Sequence, residues 1–245
     1  MSRKRPIRRS VRGRWLLLLA LLAAALGCQG LEPRWLIDRF PGTYPDVVYY
    51  FPTSERVIAM TIDDGPDPDT TPDILAALAR HEARATFFLI GERMQAYPEL
   101  VQLILDQGHE LGNHMMHDQV SARLSIETFD ANLAEAHELL AGYGGSPWFR
   151  PGSGWYNDGM LEALAPYDYR IALASSLPID PRLGWPPFMS TYLRASVQPG
   201  SIVVLHSVGK RGARTVRTLD RTLPALGRRG YRVDTLTAVA RIAEG

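Results

Sequence analysis

The sequence predicts an α/β fold, a parallel sheet of about seven strands covered by helices. Three observations carry that prediction. Short β-branched apolar runs alternate with helical segments from Arg56 to the C-terminus. Those runs lack strict polar–apolar alternation, as expected of strands buried on both faces. Finally, chemistry-bearing polar residues recur directly after the apolar runs, where parallel α/β folds place their sites.

The elements follow in order. "RVIAMTI" (56–62) reads as a strand and "TPDILAALARH" (71–81) as a helix. Thr71 suits the N-cap, Pro72 the first turn and Asp73 the helix dipole. "ATFFLI" (85–90) is the next strand. "ERMQAYPELVQLILDQG" (92–108) is helical, with Pro98 starting its main segment. A short strand follows at "HELGN", then a helix over 125–144 that opens at Ser125 in a capping-box arrangement. "WFR" (148–150), "YRIALA" (169–174), "SIVVLH" (201–206) and "YRVDTL" (231–236) supply further strands. Helices at about 187–197 and 213–228 complete the pattern. No internal repeat or low-complexity tract is present.

A length of 245 residues suffices for one sizeable core. The net charge of +1 offers no global basic field and argues against nucleic acid as a partner. It conceals an asymmetry: Arg3, Lys4, Arg5, Arg8, Arg9, Arg12 and Arg14 crowd the first fourteen residues. They run into "WLLLLALLAAALG" (15–27), an apolar stretch of secretory length and short for a membrane span. Cys28, the only cysteine, forms no internal disulfide. Its place resembles the lipobox of bacterial lipoproteins, although Ala25 and Leu26 reverse the usual order. Residues 1–28 are therefore expected to direct export to the periplasm or cell envelope. Lipidation at Cys28, cleaved secretion and an uncleaved anchor are the alternatives. Residues 29–54 read as a linker with a lead-in, and 55–245 as the catalytic domain.

The chemistry begins at "TIDDGPDPDTT" (61–71). Adjacent carboxylates at a strand end can divide roles, one ligating a cation and one acting as a base. Read alone, the run also fits an acidic surface turn or a weak calcium loop through Asp67, Asp69 and Asp73. "GHELGNHMMHD" (108–118) places His114, His117 and Asp118 at i, i+3 and i+4. With a remote aspartate, two of these make three protein ligands and leave one position open, as in catalytic zinc sites. Arg150 in "WFRPGSG" is suited to orient a carboxylate through a bidentate pair. His206, ending "SIVVLH", is suited to protonate a leaving group near neutral pH. Asp63-Asp64, His114, Arg150, Asp180 and His206 each follow a predicted strand, which predicts one shared site.

In order and spacing, the block at 61–94, then "GHELGNH", "FRP" and "SIVVLH" closed by "LPALGRRGYRVDTL", resemble the NodB-homology polysaccharide deacetylases, carbohydrate esterase family 4. The likeness spans about residues 55–241. It implies a distorted (β/α) barrel that removes N-acetyl groups from amino sugars with a divalent metal, zinc foremost. It implies Asp63 as general base, Asp64 and His114 as metal ligands, His206 as general acid and Arg150 as the residue orienting the base. A backbone N–H in the 151–154 loop (Pro151, Gly152, Ser153) is implied as the oxyanion donor.

The chain departs from the family at three places. The second metal histidine, four residues after the first, is Asp118 here, with His117 one residue early; register favours Asp118. "RPPYG" reads "RPGSG". The usual aspartate pair near a tryptophan is reduced to "LPID", where Asp180 aligns and would support Arg150; Trp155 or Trp185 would replace the aromatic surface. The implied substrate is an N-acetylated glycan: chitin-like, peptidoglycan or exopolysaccharide. A catalytically silent carbohydrate-binding protein, or a hydrolase of another amide, are the alternatives on the same fold.

Overall fold

A computed structural model describes Arg34, residues 46–178 and residues 184–245. The expectations for residues 1–28, Cys28 and Asp180 lie outside the described residues, as does most of the stretch 29–45. Among the described residues, no helix is long and apolar enough to cross a membrane.

The central strand is β2 (Val57–Asp63), buried along its whole length. On one side β3 (Thr86–Leu89), β4 (Glu110–Asn113), β5 (Trp148–Phe149), β6 (Arg170–Ala172) and β1 (Val47–Val48) follow in space. On the other side β7 (Ile202–His206) pairs with the second half of β2, and β8 (Arg232–Asp234) with its first half. All these pairings are parallel. The sheet curls into a half-barrel whose ends meet through isolated bridges. Tyr50, just past β1, bridges Ser201, and Ser176, just past β6, bridges Val203. The expected parallel, distorted barrel is therefore the observed one.

Two features of the linker and C-terminus differ from the sequence reading. Val47–Val48 pairs with β6 and Phe51 is buried, so the sheet begins inside the stretch read as linker. A two-residue strand carries no alternation to read. The last strand ends at Asp234, and a helix, Leu236–Glu244, follows. Thr235 caps it by accepting from the Ala238 N–H, 3.2 Å away.

The helices are α1 (Thr71–Ala79), α2 (Gly91–Ala96), α3 (Pro98–Asp106), α4 (Ile126–Ala141), α5 (Asp158–Leu164), α6 (Pro186–Ser196), α7 (Gly209–Arg228) and α8 (Leu236–Glu244). α5 was absent from the sequence reading; at seven residues it is too short for a clear period, though Asn157 caps it. Ser125 caps α4 as expected. Thr71 does not cap α1. It is the first helical residue, and its hydroxyl instead accepts from the Asp67 N–H at 2.9 Å. Ile58, Met60, Ile62, Phe87 and Leu205 pack with α1 and α7 side chains such as Leu78, Leu219 and Leu223 in the largest core cluster. That packing fixes the carboxyl ends of β2 and β7 relative to one another.

Candidate active site

β2 and β7 are in register at their last residues, Asp63 opposite His206. His114 follows the end of β4 and Arg150 the end of β5, themselves joined through Asn113 and Phe149. These residues and Asp64 line one open cavity of about 780 Å³ at the carboxyl edge of the sheet.

Two adjacent aspartates point usefully only because the backbone breaks between them. Asp63 is extended in β2, whereas Asp64 sits at φ 72. That left-handed conformation is one that aspartate tolerates better than most residues. Ser207 pins the break, its N–H and Oγ both donating to the Asp63 carbonyl at 2.9 and 2.8 Å. A side chain at Gly65 would meet that Oγ at 2.7 Å, so the turn needs glycine.

The rest of the acidic run is not a calcium loop. Asp67 is buried and spent on backbone: its Oδ1 accepts from the N–H groups of Asp69 and Thr70, both at 3.0 Å. Its Oδ2 accepts from the Gly209 N–H at 3.2 Å, tying the start of α1 to the start of α7. Asp69 and Asp73 face solvent.

Arg150 is buried and fully committed. Its Nη1 donates to Asp63 Oδ1 at 2.6 Å and to Thr61 Oγ1 at 2.7 Å; its Nε donates to the Ala172 carbonyl at 2.7 Å. The guanidinium lies 4.1 Å above the Phe88 ring. Burial pulls its pKa down while Asp63 opposes that pull.

His114 Nδ1 lies 2.7 Å from the Arg150 carbonyl, which can only accept, so this nitrogen is protonated. Nε2 then faces Asp64 Oδ1, 3.4 Å away. Burial would raise the Asp64 pKa, but the hydrogen bond from His114 and the charges of His114, His206 and Arg211 outweigh it and hold it at about 2. Burial would lower His114, yet the two aspartates and the Arg150 carbonyl raise it.

The sequence reading missed Arg211. From the first turn of α7 its Nη2 reaches within 2.8 Å of Asp64 Oδ2. That approach lacks hydrogen-bond direction, for the same buried oxygen accepts no hydrogen bond. No motif marks Arg211 in the sequence; its role is set by where α7 begins.

Asp118 lines the cavity, while His117 turns away and bonds Glu92 through Nδ1 at 2.9 Å. Among the described residues no three His, Cys, Asp or Glu side chains converge as a closed ligand set. The donor set still fits a divalent cation. A buried carboxylate oxygen has no hydrogen bond, and the neighbouring imidazole has its far nitrogen anchored by a carbonyl, the usual outer partner of a metal-binding histidine.

Pro151, Gly152, Ser153 and Trp155 form the cavity's rim. The Gly152 N–H donates to Ser121 Oγ at 2.8 Å, and the Gly154 N–H to the Pro151 carbonyl at 3.0 Å. That leaves the Ser153 N–H as the loop's available donor. A side chain at Gly152 would lie 1.9 Å from the Gln119 carbonyl, which accounts for glycine there. Trp155 is 72% exposed, and the exposed Leu177 and Val120 share its cavity. Trp185 lies away from this cavity, against α7.

A buried guanidinium–carboxylate pair thus stands beside an imidazole–carboxylate couple, all at the strand ends of a parallel half-barrel. The polysaccharide deacetylase family profile matches residues 51–172. The chain is 35% identical over 199 residues to a peptidoglycan-N-acetylglucosamine deacetylase of Bacillus cereus, covering 80% of this chain and 93% of that protein. It is 32% identical over 196 residues to a chitooligosaccharide deacetylase of Bradyrhizobium, covering 74% of this chain and 89% of that protein. Among solved structures, a peptidoglycan N-acetylglucosamine deacetylase superposes with a TM-score of 0.76 at 28% identity, covering 80% of this chain and 93% of that one. A pseudoenzyme of carbohydrate esterase family 4 from Bacillus anthracis gives 0.75 at 23% identity, covering 81% and 70%, a likeness of fold alone. The chain belongs to the polysaccharide deacetylase family and is a hydrolase of that family.

Proposed function

We propose that the chain is an exported, metal-dependent deacetylase that removes N-acetyl groups from an amino-sugar polymer, with peptidoglycan or a chitin-like glycan as substrate. The observation that carries this reading is the meeting of Asp63, held by Arg150, with the Asp64–His114 couple and His206 in one cavity. Asp64, His114 and Asp118 would hold the cation, with His117 disfavoured because its ring is paired outside the cavity. A divalent cation, zinc foremost, supplies Lewis acidity toward the amide carbonyl and the attacking water when bound.

The chain's own groups do the rest. Arg150 occupies Asp63 Oδ1, so the proton from water is taken at Oδ2. The Ser153 N–H donates to the oxygen that gains charge as the amide carbon becomes tetrahedral. His206, in register with Asp63 across the site, gives a proton to the departing sugar amine. Acetate and a glucosamine-type residue result. Trp155, Leu177 and Val120 offer the apolar rim on which a sugar face rests. Export, with Cys28 as the lipidation site where the leader is processed that way, belongs to the same proposal.

Purified protein incubated with N-acetylglucosamine oligomers, with and without chelator, tests it through released acetate. Release that needs metal and disappears in Asp63→Asn supports the proposal. Glycan binding without any release would favour the silent-binder reading, for which the Arg211 contact on Asp64 is the specific observation.

A further inference from the structure

The exposed face of α7 carries a row of cations that the active site does not use. Between Gly209 and Arg229 the sequence has Lys210, Arg211, Arg214, Arg217, Arg221, Arg228 and Arg229 against one acid, Asp220. Ahead of Pro224, Lys210, Arg214, Arg217 and Arg221 stand at i, i+4, i+7 and i+11. At 3.6 residues per turn these four fall within a sector of about 60° and span about 16 Å of helix. Lys210, Arg217 and Arg221 are exposed and Arg214 is half-buried.

No acid interrupts the row. Asp220 points to one side of it and is taken by Arg80 Nη2 at 2.6 Å. Like charges at i, i+3 and i+4 destabilise an isolated helix. The row holds three such pairs in succession, 210/214, 214/217 and 217/221, with Asp220 the one acid of the helix beside them. A solvated face would gain from interleaved glutamates, as the rest of this near-neutral chain has them.

Trp185, 67% exposed, stands beside the row and shares a shallow cleft with Pro186, Pro187, Arg217, Arg221 and Asp220, the last held by Arg80. The Gly184 backbone presses on the Arg214 guanidinium so closely that a Cβ there would meet Nη1 at 2.2 Å. An aromatic face next to forked cations suits a sugar ring that bears a carboxylate. Among the described residues Trp185 is the one large exposed apolar side chain of this face, which leaves those residues little to insert into a lipid surface. The row also begins beside the cavity, since Arg211, the residue after Lys210, lines it and reaches Asp64.

We propose that this face of α7 binds a carboxylate-bearing glycan strand and holds an anionic polymer alongside the catalytic cavity. The sugar in this statement rests on the glycan-deacetylase reading; the charge rests on the helix alone.

The test uses the full chain and polygalacturonate, a linear polyuronate without N-acetyl groups, at low and high salt. Affinity should fall with salt and drop about tenfold or more in Arg217→Gln/Arg221→Gln. Acetate release from a neutral chitin oligomer should stay unchanged in that variant. Because the basic N-terminal segment is common to both proteins, their difference reports the helix. Trp185→Ala should weaken polyuronate binding while leaving acetate release intact. Equal affinity of wild type and the double variant would overturn the proposal. So would a variant that loses binding to phosphatidylglycerol vesicles but keeps polyuronate binding. Absence of acetate release in wild type, with polyuronate binding intact, would instead strike the deacetylase reading.

Discussion

Arg211 sets a guanidinium nitrogen 2.8 Å from Asp64 Oδ2 without satisfying it, since that oxygen accepts no hydrogen bond. The carboxylate therefore has a nearby positive charge and an unspent lone pair together. Such a contact stabilises the ion but leaves its ligand capacity unused. The arginine is one-third exposed and starts from the first turn of α7, so it can withdraw to solvent.

It follows that Arg211 and a divalent cation compete for Asp64. Arg211→Gln should raise the cation affinity of the metal-free protein about tenfold, the scale of one partly buried charge contact at short range. Titration against a chelating indicator reads this without any turnover. A weaker affinity in the variant would mean that Arg211 supports the cation rather than opposing it.

Arg150 carries the opposite logic, because none of its contacts is spare. Arg150→Ala strands a buried carboxylate and should cost about 3–5 kcal/mol in urea unfolding. Arg150→Lys should also destabilise, by about 2 kcal/mol, since one ammonium cannot reach Thr61, Asp63 and the Ala172 carbonyl together. A lysine variant as stable as wild type would show that charge alone, not the fork, is what the site needs.

The third ligand is open to a direct comparison. Asp118 lines the cavity, whereas His117 and Glu92 form a half-exposed pair outside it. Asp118→Ala should lower bound metal, with affinity reduced about tenfold or more, while His117→Ala leaves it near wild type. Metal content after dialysis distinguishes them. Retained metal in Asp118→Ala would remove Asp118 from the ligand set.

How much of this was legible in the sequence depended on whether a residue's role was local. Asp63, Asp64, His114, Arg150 and His206 sit at strand ends because apolar runs stop there, and a run of β-branched residues is readable by itself. The 151–154 loop was readable as a rim, but only the structure shows that Gly152 and Gly154 have spent their amides. Arg211 had no such signal. Its meeting with Asp64 depends on Asp67 tying Gly209 to the start of α1, a contact across 142 residues of chain. Val47–Val48 escaped notice for the same reason: two residues become a strand only because β6 is waiting.

His109 gives the pH dependence of the fold. Buried at the head of β4, it accepts the Ala85 N–H through Nδ1 at 3.2 Å and meets the Phe87 ring edge-on. Burial, with Arg84 nearby, lowers its pKa from 6.5 to about 4. The folded state thus favours the neutral ring, and the unfolded state binds more protons between those two values. The sign follows: this contribution is complete above pH 6.5 and is lost as pH falls toward 4. By pH 4.5 it should amount to about 2–3 kcal/mol of lost stability. His109→Asn keeps an acceptor at that place but cannot be protonated there. Urea unfolding at pH 7 and pH 4.5 should therefore show a smaller loss in the variant than in wild type. Identical losses would mean that the Ala85 N–H does not hold His109 neutral, and that other groups drive the acid sensitivity.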